Sequence, residues 1–214
     1  MRIGDNGLTG SIPATFGNLV NLITLGLASC SLNDPIPPQL GRLGLLENLI
    51  LQLNQLENLI PAELGNFSSL TIFTAAKNTL NRTIPQRSAI SLATLVLSNN
   101  SHSGVVPRNL CSNTRSLELL MISGSGLVGE IPAELSQCRS MKQLDLSNNL
   151  INGSIPDEIY GLVELTDLLL HNNSLVGSIS SLDGIVPLVA SWSPTHTGDT
   201  GNGAKDCLCS FVSI

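Results

Sequence analysis

Aromatic side chains are almost missing from this sequence: one Trp, one Tyr and four Phe make up 3% of 214 residues, and charged residues reach only 12%. A core without rings must be filled by aliphatic groups. The chain supplies 39 leucines within a hydrophobic share of 42%, which excludes a disordered polymer. Basic residues are scarce too, 10 against 16 acidic ones, for a formal charge of −6. Nucleic acids and anionic membrane surfaces reward clustered Lys and Arg, so neither is expected as a partner. No run approaches the roughly 18 apolar residues of a membrane span. The longest late candidate, Gly184 to Ala190, is short and contains Pro187, and Met1 to Asp5 lacks the apolar stretch of a secretory signal. The five cysteines Cys30, Cys111, Cys138, Cys207 and Cys209 are too irregular for a disulfide scaffold, and no His neighbours suit a zinc site. No metal and no cofactor are expected.

What the sequence does have is a period. The phrase Leu-x-x-Leu-x-Leu-x-x-Asn-x-Leu-x-Gly-x-Ile-Pro recurs with its Asn position at Asn6, Cys30, Asn54, Asn78, Asn100, Ser125, Asn149 and Asn173, at gaps of 24, 24, 24, 22, 25, 24 and 24 residues. These positions define turns 1 to 8. Turn 7 reads Met141, Leu144, Leu146, Asn149, Ile151, Gly153, Ile155 and Pro156. A long Leu-rich helix is ruled against by Ile-Pro, which would break it in turn after turn.

The spacing dictates an architecture. Leu-x-Leu places two side chains on one face of a short strand, where they are buried inside a coil while the residues between them face out. Each strand then pairs in parallel with that of the next turn. Asn at the bend hydrogen-bonds backbone groups that the bend leaves unpaired, and repeated in every turn it forms a ladder. Pro after Ile removes a donor and fixes φ, so the chain crosses the convex side without a full helix. The expected fold is α/β: a curved solenoid of about eight turns, with a parallel concave sheet and short 3-10 or irregular convex segments. Residues 1–180 form the array, with an irregular join near 86–91, and 181–214 form a non-repeat tail expected to be poorly ordered.

On these residues the sequence resembles the plant-type leucine-rich repeats of receptor-like serine/threonine kinases. The segments Leu8-Thr9-Gly10-Ser11-Ile12-Pro13 and Leu127-Val128-Gly129-Glu130-Ile131-Pro132 carry the resemblance. Longer runs, Leu22 to Ser29, Phe73-Thr74-Ala75-Ala76, Gln143 to Asn149 and Leu165 to Ser174, are most similar to the Gassho receptor kinases. The resemblance implies an ectodomain at the outer face of the plasma membrane that binds a secreted peptide or a partner ectodomain, with membrane helix and kinase lying elsewhere in the complete receptor. Ile3 already occupies the second strand Leu position, and no paired-cysteine cap or kinase motif is visible, so the chain reads as a non-catalytic fragment. Two alternatives stand beside recognition: a truncated, non-functional product whose ends expose Ile3, Leu8 and Ile12, and a secreted inhibitor of a cell-wall-degrading enzyme built from the same repeat.

Candidate site residues follow from the strand positions that alternate with buried leucines. In the last two turns these are Gln143, Asp145, Ser147 and Asn148, then Asp167, Leu169, His171 and Asn172. Stacking is expected to set Asp145 beside Asp167 and Ser147 beside His171, an acidic strip with one imidazole, which is either a plain solvated face or part of a peptide groove favouring basic or hydrogen-bonding side chains. Sequons occur at Asn66, Asn81, Asn99, Asn152 and Asn172, and Asn66, Asn81 and Asn152 are expected outside the strands as glycan acceptors. Cys111 and Cys138 occupy similar places after the Pro of consecutive turns, close enough for a disulfide in an oxidising compartment. His102 replaces a Leu that should be buried. Asp34, Asn58 and Arg82 stand where Gly is usual, which a turn surface tolerates unless φ is positive. The run Gly124-Ser125-Gly126-Leu127-Val128-Gly129 matches a dinucleotide fingerprint, but it lies in repeat register with Pro132 close behind, so no nucleotide site is assigned.

Overall fold

The computed structural model describes residues 1–86, 91–112 and 116–178. The expected tail 181–214, with Cys207 and Cys209, and most of the join at 86–91 lie outside the described residues. Seven parallel strands, Thr24–Gly26, Asn48–Ile50, Ile72–Thr74, Thr94–Val96, Leu119–Met121, Gln143–Asp145 and Asp167–Leu169, form one sheet in which every strand neighbours the one a turn away. A bridge between Arg2 and Gly26 adds turn 1 to the same face. The two leucine positions of each strand point inward together: Leu25 and Leu27, Leu49 and Leu51, Leu95 and Leu97, Leu144 and Leu146 are all buried. Burying one such side chain contributes about 1.5–3 kcal/mol, so a core with few rings is sustained by repetition.

Five of the eight ladder positions are asparagines bonded in the same way. Asn149 accepts from the Leu127 N–H at 3.1 Å and donates to the carbonyls of Ile122 at 2.8 Å and Leu146 at 3.0 Å. Asn54, Asn78, Asn100 and Asn173 repeat this pattern one turn apart. Each side chain therefore pairs backbone groups from two turns that would otherwise be buried and unsatisfied. The ladder breaks at Cys30, which makes only long Sγ contacts, and at Ser125, whose buried Oγ has no partner. The residue before each ladder position adopts a left-handed conformation: Asp5, Ser29, Leu53, Lys77, Asn99, Gly124, Asn148 and Asn172 have φ between 52° and 60°.

Past the ladder the chain forms a second set of strands that the repeat phrase did not announce. Thr9–Ser11 pairs with Ser31–Asn33, Glu57–Asn58 with Thr79–Leu80, and Val128–Glu130 with Leu150–Gly153 and then Ser174–Leu175. They make a lateral face beside the concave one. The expectation for glycan acceptors is corrected here, because Asn152 lies inside the strand Leu150–Gly153, although its side chain is exposed. Asp34 and Asn58 do have positive φ, 63° and 64°, at the place where Gly10, Gly129 and Gly153 have 81°, 79° and 75°. Asp and Asn are the residues other than Gly that best tolerate that region.

Ile-Pro then turns the chain onto the convex side, where Ala14–Asn18, Pro38–Arg42, Ala62–Asn66, Ala133–Gln137 and Asp157–Gly161 form 3-10 helices. A Pro stands at the cap of each, where a missing N–H costs nothing. Glycine sets their spacing: a Cβ on Gly17 would lie 2.3 Å from the Gln39 carbonyl oxygen of the next helix. Cys111 and Cys138 are joined as a disulfide with Cα atoms 5.2 Å apart. Ile12 is buried by turn 2, contrary to its expected place at a bare end, while Leu8 stays exposed and Ile3 half-buried.

Candidate functional site

The concave sheet presents its outward side chains in rows that run along the solenoid, because each strand pairs like position with like. One row runs Thr24, Asn48, Ile72, Thr94, Leu119, Gln143, Asp167; the next runs Gly26, Ile50, Thr74, Val96, Met121, Asp145, Leu169. This register corrects the expected acidic strip. Asp145 faces Leu169, not Asp167, and Asp167 faces Gln143, whose Nε2 donates to its Oδ2 at 3.1 Å. A period of 24 residues carries Asp145 to Leu169, so the two carboxylates fall in different rows. Ser147 and His171 do occupy the same repeat position, as expected, and the Asn148 N–H donates to the His171 carbonyl at 2.9 Å.

The side chains named in the last two turns divide by environment. Asp145 is 7% exposed, and its Oδ1 accepts from both the Ser147 N–H at 3.0 Å and the Ser147 hydroxyl at 2.6 Å. Asn148 donates to Ser147 Oγ, and Asn172 donates to Asn148 Oδ1 at 2.8 Å. This network fixes the carboxylate in one orientation. Asp167, half-buried, accepts from Gln143 and from the Thr166 hydroxyl.

The middle of the face is apolar. Ile50, Ile72, Val96, Leu119 and Met121, each partly exposed, are spread over the two rows across turns 3 to 6, with Thr74 and Thr94 interposed among them. A third row beside them is made of small residues, Ala28, Ala76, Ser98 and Ser123, with Gln52 among them. Reading only the last two turns missed this strip; counting the same positions back through the repeat would have found it. Among the described residues no group of three or more His, Cys, Asp or Glu is placed to hold a metal ion. Asn66, Asn81, Asn99, Asn152 and Asn172 are all exposed.

A family model described as leucine rich repeat matches residues 115–175. The chain is a leucine-rich-repeat protein. Among solved structures it is similar to PEPR1 in the PEPR1-AtPEP1 structure, with 37% identity, 86% of this chain and 26% of that one covered, and a TM-score of 0.83. It is also similar to the leucine-rich-repeat ectodomain of the Arabidopsis thaliana receptor kinase GASSHO1/SCHENGEN3 in complex with CASPARIAN STRIP INTEGRITY FACTOR 2: 41% identity, 81% and 30% coverage, TM-score 0.57. The Arabidopsis receptor kinase HAESA, in complex with the peptide hormone IDA and the co-receptor SERK1, is similar at 30% identity, 84% and 30% coverage and a TM-score of 0.80. No curated protein matches the chain. This leucine-rich-repeat chain thus spans between a quarter and a third of the length of these solved relatives, and its repeats are of the kind found in plant receptor-kinase ectodomains.

Proposed function

We propose that this leucine-rich-repeat chain is a recognition segment of a plant receptor-kinase ectodomain, binding a secreted peptide or a partner ectodomain on its concave face. The observation that carries this reading is the apolar strip Ile50, Ile72, Val96, Leu119 and Met121, held open on a rigid sheet and flanked by oriented polar groups at turns 7 and 8. Exposed aliphatic side chains brought together in one strip are a feature of interaction surfaces. The solved relatives named above include peptide-bound receptors, which favours recognition over inhibition of a wall-degrading enzyme. Eight turns at about 4.8 Å span roughly 34 Å, the length of about ten extended residues. The reading places the chain at the outer cell surface, where the exposed Asn66, Asn81 and Asn152 are available as glycan acceptors and the Cys111–Cys138 bridge is stable. Among the described residues no helix is long and apolar enough to cross a membrane.

The test is retention of peptides from a plant secreted fraction on immobilised protein. Wild type is expected to retain a set of peptides that the double variant Val96→Lys, Met121→Lys loses. Equal retention by both proteins, each shown folded by circular dichroism, would exclude the strip as the binding surface.

A further inference from the structure

Asp145 stands at the end of the apolar strip in a setting unlike that of the other carboxylates. It continues the row Ile50, Thr74, Val96, Met121, and its register neighbours are Met121 on one side and Leu169 on the other. Its side chain is almost fully buried, yet among the described residues it makes no ion pair; the two found there, Arg108–Glu134 and Lys142–Glu118, lie elsewhere. One carboxylate oxygen is held by the backbone and the hydroxyl of Ser147. That arrangement fixes the group and, among the described residues, leaves its second oxygen without a donor. A carboxylate between apolar neighbours, oriented in advance and lacking a cation, gains most from a charged donor arriving with a ligand, because that donor loses no geometry to a mobile partner.

We infer that Asp145 is the anchor for a cationic side chain, Arg or Lys, of an extended peptide whose apolar residues lie on Val96, Met121 and Leu119. This rests on the peptide-recognition reading above and adds the chemistry of the ligand and the spacing of its cation from its apolar residues. The spacing sets the order. Adjacent turns are about 4.8 Å apart and an extended peptide advances about 3.3 Å per residue, so the cation falls one or two residues beyond the last apolar contact. Asp167 likewise takes both of its donors, Gln143 and Thr166, on one oxygen, but it is more exposed and lies in the other row beside Gln143 rather than beside Met121, so it serves less well.

The experiment is selection of a random dodecapeptide library on the full chain, in parallel with Asp145→Asn and Asp167→Asn. Asparagine keeps an oxygen for the Ser147 donors while removing the charge and turning the free oxygen into an NH2 donor. The expected result is enrichment of Arg or Lys one or two residues from an apolar pair, with at least tenfold weaker binding of the selected peptides to Asp145→Asn and little change for Asp167→Asn. Peptides selected without a basic preference, or bound equally by Asp145→Asn, overturn the anchor while leaving peptide recognition standing. A library that yields no concave-face binder overturns both.

Discussion

Two single positions depart from the repeat and define what each site asks of its residue. Leu53 has φ 59° in the left-handed position before a ladder Asn, where turns 5, 7 and 8 have Asn99, Asn148 and Asn172. A bulky L-residue pays about 1–2 kcal/mol there, and Asn much less. Leu53 is largely exposed, so little packing is at stake. Leu53→Asn is expected to stabilise the protein by about 0.5–1 kcal/mol, read as a higher midpoint of thermal unfolding. His102 shows the opposite conflict. It occupies a buried Leu position between Leu80 and Leu127, Nδ1 contacts the Arg82 carbonyl at 3.1 Å, and Nε2 is buried without a partner. A carbonyl only accepts, so Nδ1 carries the proton in the neutral ring. Burial lowers its pKa below the ordinary 6.5, with the Arg82 contact opposing part of the shift. The unfolded chain therefore binds this proton more readily than the folded one. The stability associated with neutral His102 is complete above pH 6.5 and is lost as the pH falls through the lowered folded value, with a slope of at most about 1.4 kcal/mol per pH unit. Denaturant midpoints at pH 7.5 and pH 5.5 are expected to differ more for wild type than for His102→Leu; an unchanged difference would remove His102 as the cause.

At the scale of elements, the convex side shows why the disulfide lies where it does. The 3-10 helices of turns 1 to 3 pack on one another, and so do those of turns 6 and 7. Among the described residues turns 4 and 5 have none, and Cys111–Cys138 ties turn 5 to turn 6 where that stacking is interrupted. The bridge closes a loop with a sequence separation of 27 residues. Replacing both cysteines by Ser is expected to cost about 2–4 kcal/mol, measured as a lower unfolding midpoint against the oxidised wild type. These elements differ in how far the sequence announced them. The concave strands and ladder were legible because Leu-x-Leu and Asn repeat at fixed spacing, and each residue type has one physical task there. The lateral strands were hidden because Leu-x-Gly-x-Ile alternates too briefly to look like a strand, and their pairing depends on the neighbouring turn. The acidic strip at Asp145 and Asp167 was misjudged by two residues of register. The apolar strip stayed unseen because Ile50, Val96 and Met121 look like ordinary core residues until the strand fixes which face they take.

For the whole molecule, stability follows from neighbours. Interior turns are covered on both sides, whereas Leu168, Leu170 and Leu175 in turn 8 and Ile3 in turn 1 are only partly buried. Solenoid stability is a sum of turn and interface contributions, so amide exchange is expected to be slowest at Leu95 and Leu120 and faster toward Asp167–Leu169. Uniformly fast exchange would instead favour the inert-fragment alternative. The two faces also count the repeat differently. Concave partners such as Gln143 and Asp167 are 24 residues apart, while lateral partners such as Val128 and Leu150, or Asn152 and Ser174, are 22 apart. The faces therefore act as a vernier, with the lateral scale slipping two residues against the concave one at every turn. The 22- and 25-residue gaps leave the concave scale intact, since Ile72 still faces Thr94 and Thr94 still faces Leu119. A row of like positions therefore runs straight across the concave strands, whereas the paired residues of the lateral strands step back two repeat positions per turn, so the two faces offer a ligand rows of different obliquity.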